Sequence, residues 1–211
     1  MLLNFLTVRM KERFKDLPLR NGVGIVVLNK DNKVFVAKRI DNPKDFWQMP
    51  QGGVDKGEDF LSAAYRELEE ETSIKNVELI KEIDGILSYE LPDHLLGIIW
   101  KGKYKGQRQK WFLMRFLGND NDINIKTNKP EFLEWKWIDL ELLTDVVVDF
   151  KMHVYKELKE KIEKIINWAI LKPQSFDLLN ILIDRLFLFC LTHLELVWAN
   201  FVVLIYPYLK Y

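Results

Sequence analysis

Between Glu58 and Thr72 the apolar residues Phe60, Leu61, Ala64 and Leu68 recur at the spacing of one helical face. At 100° per residue they fall within an arc of about 100°, so the segment predicts a helix with one buried stripe. Glu67, Glu70 and Glu71 stand at i, i+3 and i+4, which converges their side chains on a single patch. That patch adjoins the apolar stripe, and only Glu69 points squarely at solvent. A solvated acidic face is the ordinary fate of a charge run. Yet three like charges repel, and half-burying them adds desolvation cost. A divalent cation would relieve both costs, and an all-oxygen donor set favours Mg²⁺ or Mn²⁺. Arg66, four residues before Glu70, is placed to hold these carboxylates from the flank.

The surrounding sequence predicts strands. Gly22–Leu28 reads as buried and Lys33–Lys38 as alternating, with Asn29–Asn32 as the turn between them. A loop over Asp41–Gln51 leads through Gly52-Gly53 to the helix. Further strands are expected at Val77–Ile83, Ile86–Tyr89, Leu96–Trp100, Lys110–Leu117 and Phe132–Ile138. Leu140–Leu143 reads as a short helical turn. Phe150–Leu171 has helical periodicity, with Val154, Leu158, Ile162, Ile165 and Ile166 on one stripe, ended by Pro173. Mixed strands with one early and one late helix predict a layered α/β domain.

Several function classes are excluded by composition. The formal net charge is zero, whereas a protein that grips duplex DNA through its backbone carries a basic excess. The single cysteine, Cys190, rules out an intramolecular disulfide and a multi-cysteine metal site, and suits a reducing cytoplasm. His94 and His153 lack a partner at ligand spacing, so neither is assigned to metal. Residues 1–8 are apolar but have no basic leader or cleavage site, so no signal peptide is expected. The apolar run Leu186–Tyr206 approaches membrane-spanning length, but Glu195 near its middle weighs against a transmembrane helix.

The pattern Gly52, Glu58, Arg66-Glu67-Leu68, Glu70-Glu71 resembles the signature box of the Nudix hydrolases. The box normally closes on Gly followed by an aliphatic residue, where this chain has Ser73-Ile74. That glycine supplies a left-handed helix end, so Ser73 is expected to cost stability. From Leu19 to Trp168 the chain is further similar to the bacterial RNA pyrophosphohydrolases, also described as dinucleoside polyphosphate hydrolases. The segments that carry this are Arg20–Gly24, Trp47–Gly53, Tyr89–Pro92, Gly106–Phe112, Pro130–Phe132 with Trp135–Trp137, and Val148–Lys151.

The resemblance implies a Nudix α/β/α sandwich with a mixed sheet over residues 17–172. An N-terminal extension, 1–16, and an atypical apolar C-terminal extension, 173–211, would flank it. It implies catalysis by Glu67, Glu70, Glu71, Glu131 and Arg66, with the four glutamates binding Mg²⁺, or Mn²⁺ or another divalent metal. Gly52, Gly53 and Glu58 would build the box. Arg20, Arg39, Gln107, Lys110, Phe150 and Lys151 would bind substrate, Phe150 stacking on a base and Lys151 contacting phosphate. Read without the resemblance, Phe150 is a core residue, and Glu131 a solvated loop carboxylate. Five basic residues between Lys101 and Lys110 offer a polyphosphate or RNA 5′-end contact, against the alternative of a solvated hairpin tip.

Three activities follow as expectations. One is removal of pyrophosphate from the 5′-triphosphate end of RNA; the second is hydrolysis of free dinucleoside polyphosphates. The third, a non-catalytic nucleotide-binding module, conflicts with a complete set of box carboxylates. The general base is Glu70, Glu71 or Glu131. No oligomeric state is implied.

Overall fold

In a computed structural model, residues 14–41 and 44–168 are described. The chain divides into two compact units, Met1–Ile162 and Glu163–Tyr211. Of the second, residues 163–168 are helical. Expectations for residues 1–13, and for the apolar run Leu186–Tyr206, lie outside the described residues. Among the described residues no helix is long and apolar enough to cross a membrane.

One mixed sheet organises the first unit. Its strands are β1 (Leu19–Leu28), β2 (Val34–Arg39), β3 (Trp47–Gln48), β4 (Gln51–Gly53), β5 (Val77–Glu82), β6 (Leu87–Glu90), β7 (Gly106–Phe116) and β8 (Phe132–Ile138). They run in the order β3-β2-β1-β7-β5, with β4 on β1, β6 on β7 and β8 on β2. β1 and β7 are parallel, in register from Leu19↔Gly106 to Leu28↔Arg115. The other pairings are antiparallel.

Helix α1 (Phe60–Thr72) and helix α2, residues 152–162 of the first unit, cover opposite faces of this sheet. Ala63, Ala64 and Leu68 of α1 pack on Val23, Ile25 and Val27 of β1 and on Phe112, Met114 and Phe116 of β7. Trp111, pointing the other way by strand alternation, meets Tyr155 of α2 edge to face at 6.2 Å. The Tyr155 hydroxyl also accepts the N–H of Met49, at 3.0 Å. A side chain on Gly24 would run into the Trp111 ring, 2.5 Å away, so the strand can pass there only as glycine. This is the expected α/β/α sandwich.

Local differences from the sequence reading have physical causes. α1 begins at Phe60 because Asp59 caps it, accepting the N–H of Ser62; Glu58 precedes the cap. Ser73 does adopt the left-handed conformation at the helix end (φ 60°), its N–H on Glu69 O. Its hydroxyl donates to Asn124 O at 3.0 Å, which offsets part of the strain. β7 starts at Gly106, because Tyr89 and Glu90 of β6 pair with Gln107 and Gly106.

The strand expected at Leu96–Trp100 is absent. Asp93–Leu95 and Ile99–Gly102 are 3₁₀ turns. Gly97 and Gly102 take positive φ, and Gly102 sits against the Gly97 backbone, folding the segment on itself so that it cannot lie extended.

Candidate active site

Glu67 and Glu71 are one helical turn apart, about 6 Å along the axis. Gln51 and Gly53 are alternate residues of β4, separated by nearly the same rise. β4 pairs only with β1 among the described residues, and the flanking residues Pro50 and Val54 bond to β1 through Pro50 O and Val54 N. The N–H groups of Gln51 and Gly53 therefore point off the free edge. The Gln51 N–H donates to Glu71 Oε2 at 3.1 Å, and the Gly53 N–H to Glu67 Oε1 at 3.0 Å. An edge that would otherwise carry unpaired donors is closed by two carboxylates.

The glycine pair is a consequence of this approach. A Cβ built on Gly52 would fall 1.9 Å from Glu67 Cδ, and one on Gly53 would fall 1.9 Å from Arg20 Nη2. Arg66 completes the frame. It donates to Glu58 through Nε and Nη2 at 2.8 Å each, to Gly53 O at 2.9 Å and to Glu67 Oε1 at 2.9 Å. Glu58 also accepts the Asp55 N–H, so Arg66 ties α1 to the loop before it. This bidentate hydrogen bonding holds the Glu58 carboxyl down at about 2.

Burial raises the proton affinity of Glu67, against the hydrogen bond from Arg66. The effect is stronger at Glu71, which is 3% exposed. Burial pushes its carboxyl well above the usual range, and the charges of Glu131 and Glu67 add to this. Glu70 is by contrast open to solvent, 61% exposed, with Arg66 Nη1 at 3.6 Å.

Glu131 comes from across the sheet. A register shift between Lys38 and Arg39 interrupts the β2–β8 ladder, and such a bulge re-aims the side chain beside it. Arg39 then donates to Glu131 Oε2 at 2.8 Å and, through Nε and Nη2, to both oxygens of Asp41. Among the described residues no three acidic or histidine groups enclose a cation as they stand. The set nevertheless fits one: the charges of Glu131 and Glu67 both bear on the buried Glu71 carboxylate, and the donors are all oxygen.

Behind β4, on the α2 side, lies a chain of amides, buried at Gln48, Gln107 and Gln109 and half-buried at Gln51. Tyr89 donates to Gln107 Oε1 at 2.9 Å, and Gln107 donates to Gly52 O at 3.1 Å. Gln109 donates to Gln51 Oε1 at 2.8 Å, and Gln51 to Gln48 Oε1 at 3.0 Å. Lys151 ends the chain, its ammonium 3.3 Å from Gln48 Oε1 and 5.0 Å from the centre of the Tyr89 ring. Burial brings its pKa down to about 7, aided by the Arg39 charge. The Phe150 ring lies against Tyr89 at 5.6 Å.

The structure thus brings together Arg20, Arg39, Glu58, Arg66, Glu67, Glu70, Glu71, Gln107, Glu131, Phe150 and Lys151 around β4 and its neighbours. Lys110 is set apart from Gln107. Three residues further along β7, it points to the α1 side and pairs with Glu82 of β5, at 2.5 Å. Sequence reasoning named neither Gln48, Gln51 and Gln109 nor Asp41 as site residues. The signal available for the amides was their alternation, Gln107 and Gln109, on a strand otherwise reading as buried.

Comparison with known proteins agrees with this geometry. The NUDIX domain family matches residues 18–160. The RNA pyrophosphohydrolase of Pelagibacter ubique strain HTCC1062 is 78% identical over 158 residues, covering 75% of this chain and all of that protein. That of Rhodospirillum rubrum is 47% identical over 157 residues, covering 74% and 93%. Among solved structures, a Caenorhabditis elegans Ap4A hydrolase complex superposes with a TM-score of 0.52 at 24% identity, over 69% of this chain and 99% of that one. The E. coli dihydroneopterin triphosphate pyrophosphohydrolase gives 0.51 at 23%, over 66% and 96%. With the family matched across the sandwich and its box folded around Gly52, Gly53 and Arg66, this chain belongs to the Nudix hydrolases.

Proposed function

We propose that this enzyme removes pyrophosphate from the 5′-triphosphate end of RNA, leaving a 5′-monophosphate. The observation that carries the reaction type is the pinning of Glu67 and Glu71 on the free edge of β4, with the charge of Glu131 bearing on Glu71. RNA as the substrate is supported by the relatives named RNA pyrophosphohydrolase, one of them 78% identical.

Nudix hydrolases generally use divalent metals. Glu67, Glu70, Glu71 and Glu131 would hold Mg²⁺, which when bound neutralises phosphate oxygens and lowers the pKa of water. Arg66 keeps Glu67 oriented while the Gly53 N–H holds the same oxygen in place. Glu70, Glu71 or Glu131 takes the proton from the attacking water. The water oxygen bonds to a phosphorus of the α–β anhydride, the bridging P–O bond breaks, and pyrophosphate leaves. Arg20, Arg39 and Lys151 supply positive charge to the polyphosphate, and Gln107 keeps β4 in position from behind. Phe150, already against Tyr89, offers an aromatic face to the first bases.

The test is direct. Triphosphorylated RNA and diadenosine tetraphosphate are supplied at equal concentration with Mg²⁺, and pyrophosphate release is compared with dinucleotide cleavage. Faster release from RNA is expected. Much faster cleavage of the dinucleotide overturns the RNA assignment, and no turnover of either returns the chain to a nucleotide-binding role. Removing residues 173–211 is expected to leave turnover intact, since a relative 78% identical is matched over its full length by 75% of this chain.

A further inference from the structure

Trp100 and Lys101 both adopt the left-handed conformation, at φ 52°, ψ 32° and φ 57°, ψ 30°. A bulky aromatic residue rarely occupies this region, and two such residues in succession are costly. Strain of this kind persists where the surrounding structure holds it, often beside a ligand clamp. Here the hold is visible. Gly97 and Gly102 also take positive φ and pack on each other, Lys103 N–H closes the turn on Trp100 O, and Tyr104 meets the Trp100 ring edge-on at 6.2 Å. The outcome is that the Trp100 ring lies under the guanidinium of Arg20, whose carbon is 5.7 Å from the ring centre.

Arg20 lies against the glycine pair, as Arg66 does. It fills the space where Gly53 lacks a side chain, on the strand residue whose N–H holds Glu67. It leaves β1 opposite Gln107, which anchors Gly52. Four rotatable bonds would otherwise let this long side chain swing into solvent. Held between an aromatic face and a glycine backbone, next to Gln107 on the neighbouring strand, it has little freedom left to lose on binding.

We infer that Trp100 is a positioning residue: its ring fixes the Arg20 guanidinium against Gly53, so that a cation for the polyphosphate is set before substrate arrives. This rests on the phosphoanhydride reading above and holds whichever substrate carries the phosphate chain. The effect falls on ground-state capture more than on bond cleavage, because Trp100 acts through Arg20.

A double-mutant cycle tests it in the full chain, with W100A, W100F, R20A and W100A/R20A. Turnover of triphosphorylated RNA gives kcat and KM, and calorimetry gives the affinity for inorganic tripolyphosphate. W100A is expected to raise KM and weaken tripolyphosphate binding by about tenfold, with kcat within about twofold. W100F should restore both, and W100A/R20A should bind no worse than R20A alone. Additive losses in the double variant, or equal losses in W100A and W100F, overturn the assignment. So does a fall in kcat without a change in KM. Melting curves separate these from misfolding: a melted W100A leaves the decision to W100F and to the coupling measured with Trp100→Leu. If native protein turns over only diadenosine tetraphosphate, the RNA reading fails while the same cycle on that substrate still decides the role of Trp100.

Discussion

Glu67 occupies the space that a side chain on Gly52 would need: a Cβ there would lie 1.9 Å from the Glu67 Cδ. The carboxylate cannot yield without losing its bonds to the Gly53 N–H and to Arg66. Gly52→Ala is therefore expected to cut kcat by at least about 100-fold, a loss of the size seen when one positioned group is displaced. Single-turnover kinetics beside a melting curve checks it, and a variant that keeps native turnover refutes it.

Arg66 makes four hydrogen bonds that no lysine can reproduce, because its planar fork spans Glu58, Gly53 O and Glu67 at once. Arg66→Lys should lose about 10- to 100-fold in turnover. The Glu58 partner has an acid signature. Its carboxyl is held at about 2, below its unfolded value, so its contribution is present at neutral pH and is lost as pH falls through the folded value. The difference in Tm between native protein and Glu58→Gln should be full at pH 7 and shrink below about pH 4.

Lys151 carries the opposite sign. Burial brings its pKa to about 7, below the unfolded value, so the cost of a buried charge is full below pH 7 and is relieved as pH rises above it. Lys151→Met should raise Tm most at or below neutral pH, with the gain closing toward alkaline pH, while KM for a polyphosphate substrate rises. A variant that lowers Tm at pH 6 counts against this.

Glu70 is open to solvent at 61% exposure and ties no loop, in contrast to Glu67 and Glu71. Glu70→Gln should therefore lose about 100-fold or more in turnover with Tm changed by no more than about 1 °C. Chelation with EDTA should abolish turnover, and Mg²⁺ should restore it and raise Tm, since a cation bound only by the folded state stabilises it. Restored turnover of Glu70→Gln at native rate excludes a role for this carboxylate.

At the end of α1, Ser73 combines a left-handed backbone with a hydroxyl bond to Asn124 O. Ser73→Ala keeps the strain and loses the bond, and should destabilise by about 1 kcal/mol. Ser73→Gly loses the bond but releases the strain, and should lie within about 0.5 kcal/mol of native. Urea unfolding distinguishes the two.

The strands and helices that were legible from sequence are those whose apolar spacing is local. Alternation marked Phe132–Ile138, and the stripe Phe60, Leu61, Ala64, Leu68 marked α1. Leu96–Trp100 misled because its composition favours a strand, while Gly97 and Gly102, with positive φ, bend the chain back. β3 and β4 are two and three residues long, too short for any period to register. Asp41, Gln48, Gln51 and Gln109 escaped notice because a single amide or carboxylate means nothing until its partner is known.

What the sequence determined by itself is the converging set Glu67, Glu70 and Glu71, since helical geometry alone puts i, i+3 and i+4 on one patch. It also placed Arg66 beside them. Which of the three would be buried, and on what, was a tertiary matter. The free edge of β4 offers donors at Gln51 and Gly53 that match one helical turn, so Glu71 and Glu67 turn inward while Glu70 stays in water. The same holds for Arg39 on Glu131, 92 residues apart, and for Arg20 on Trp100. Partners so distant in sequence meet only when the sheet brings their segments together, and no local pattern encodes that meeting.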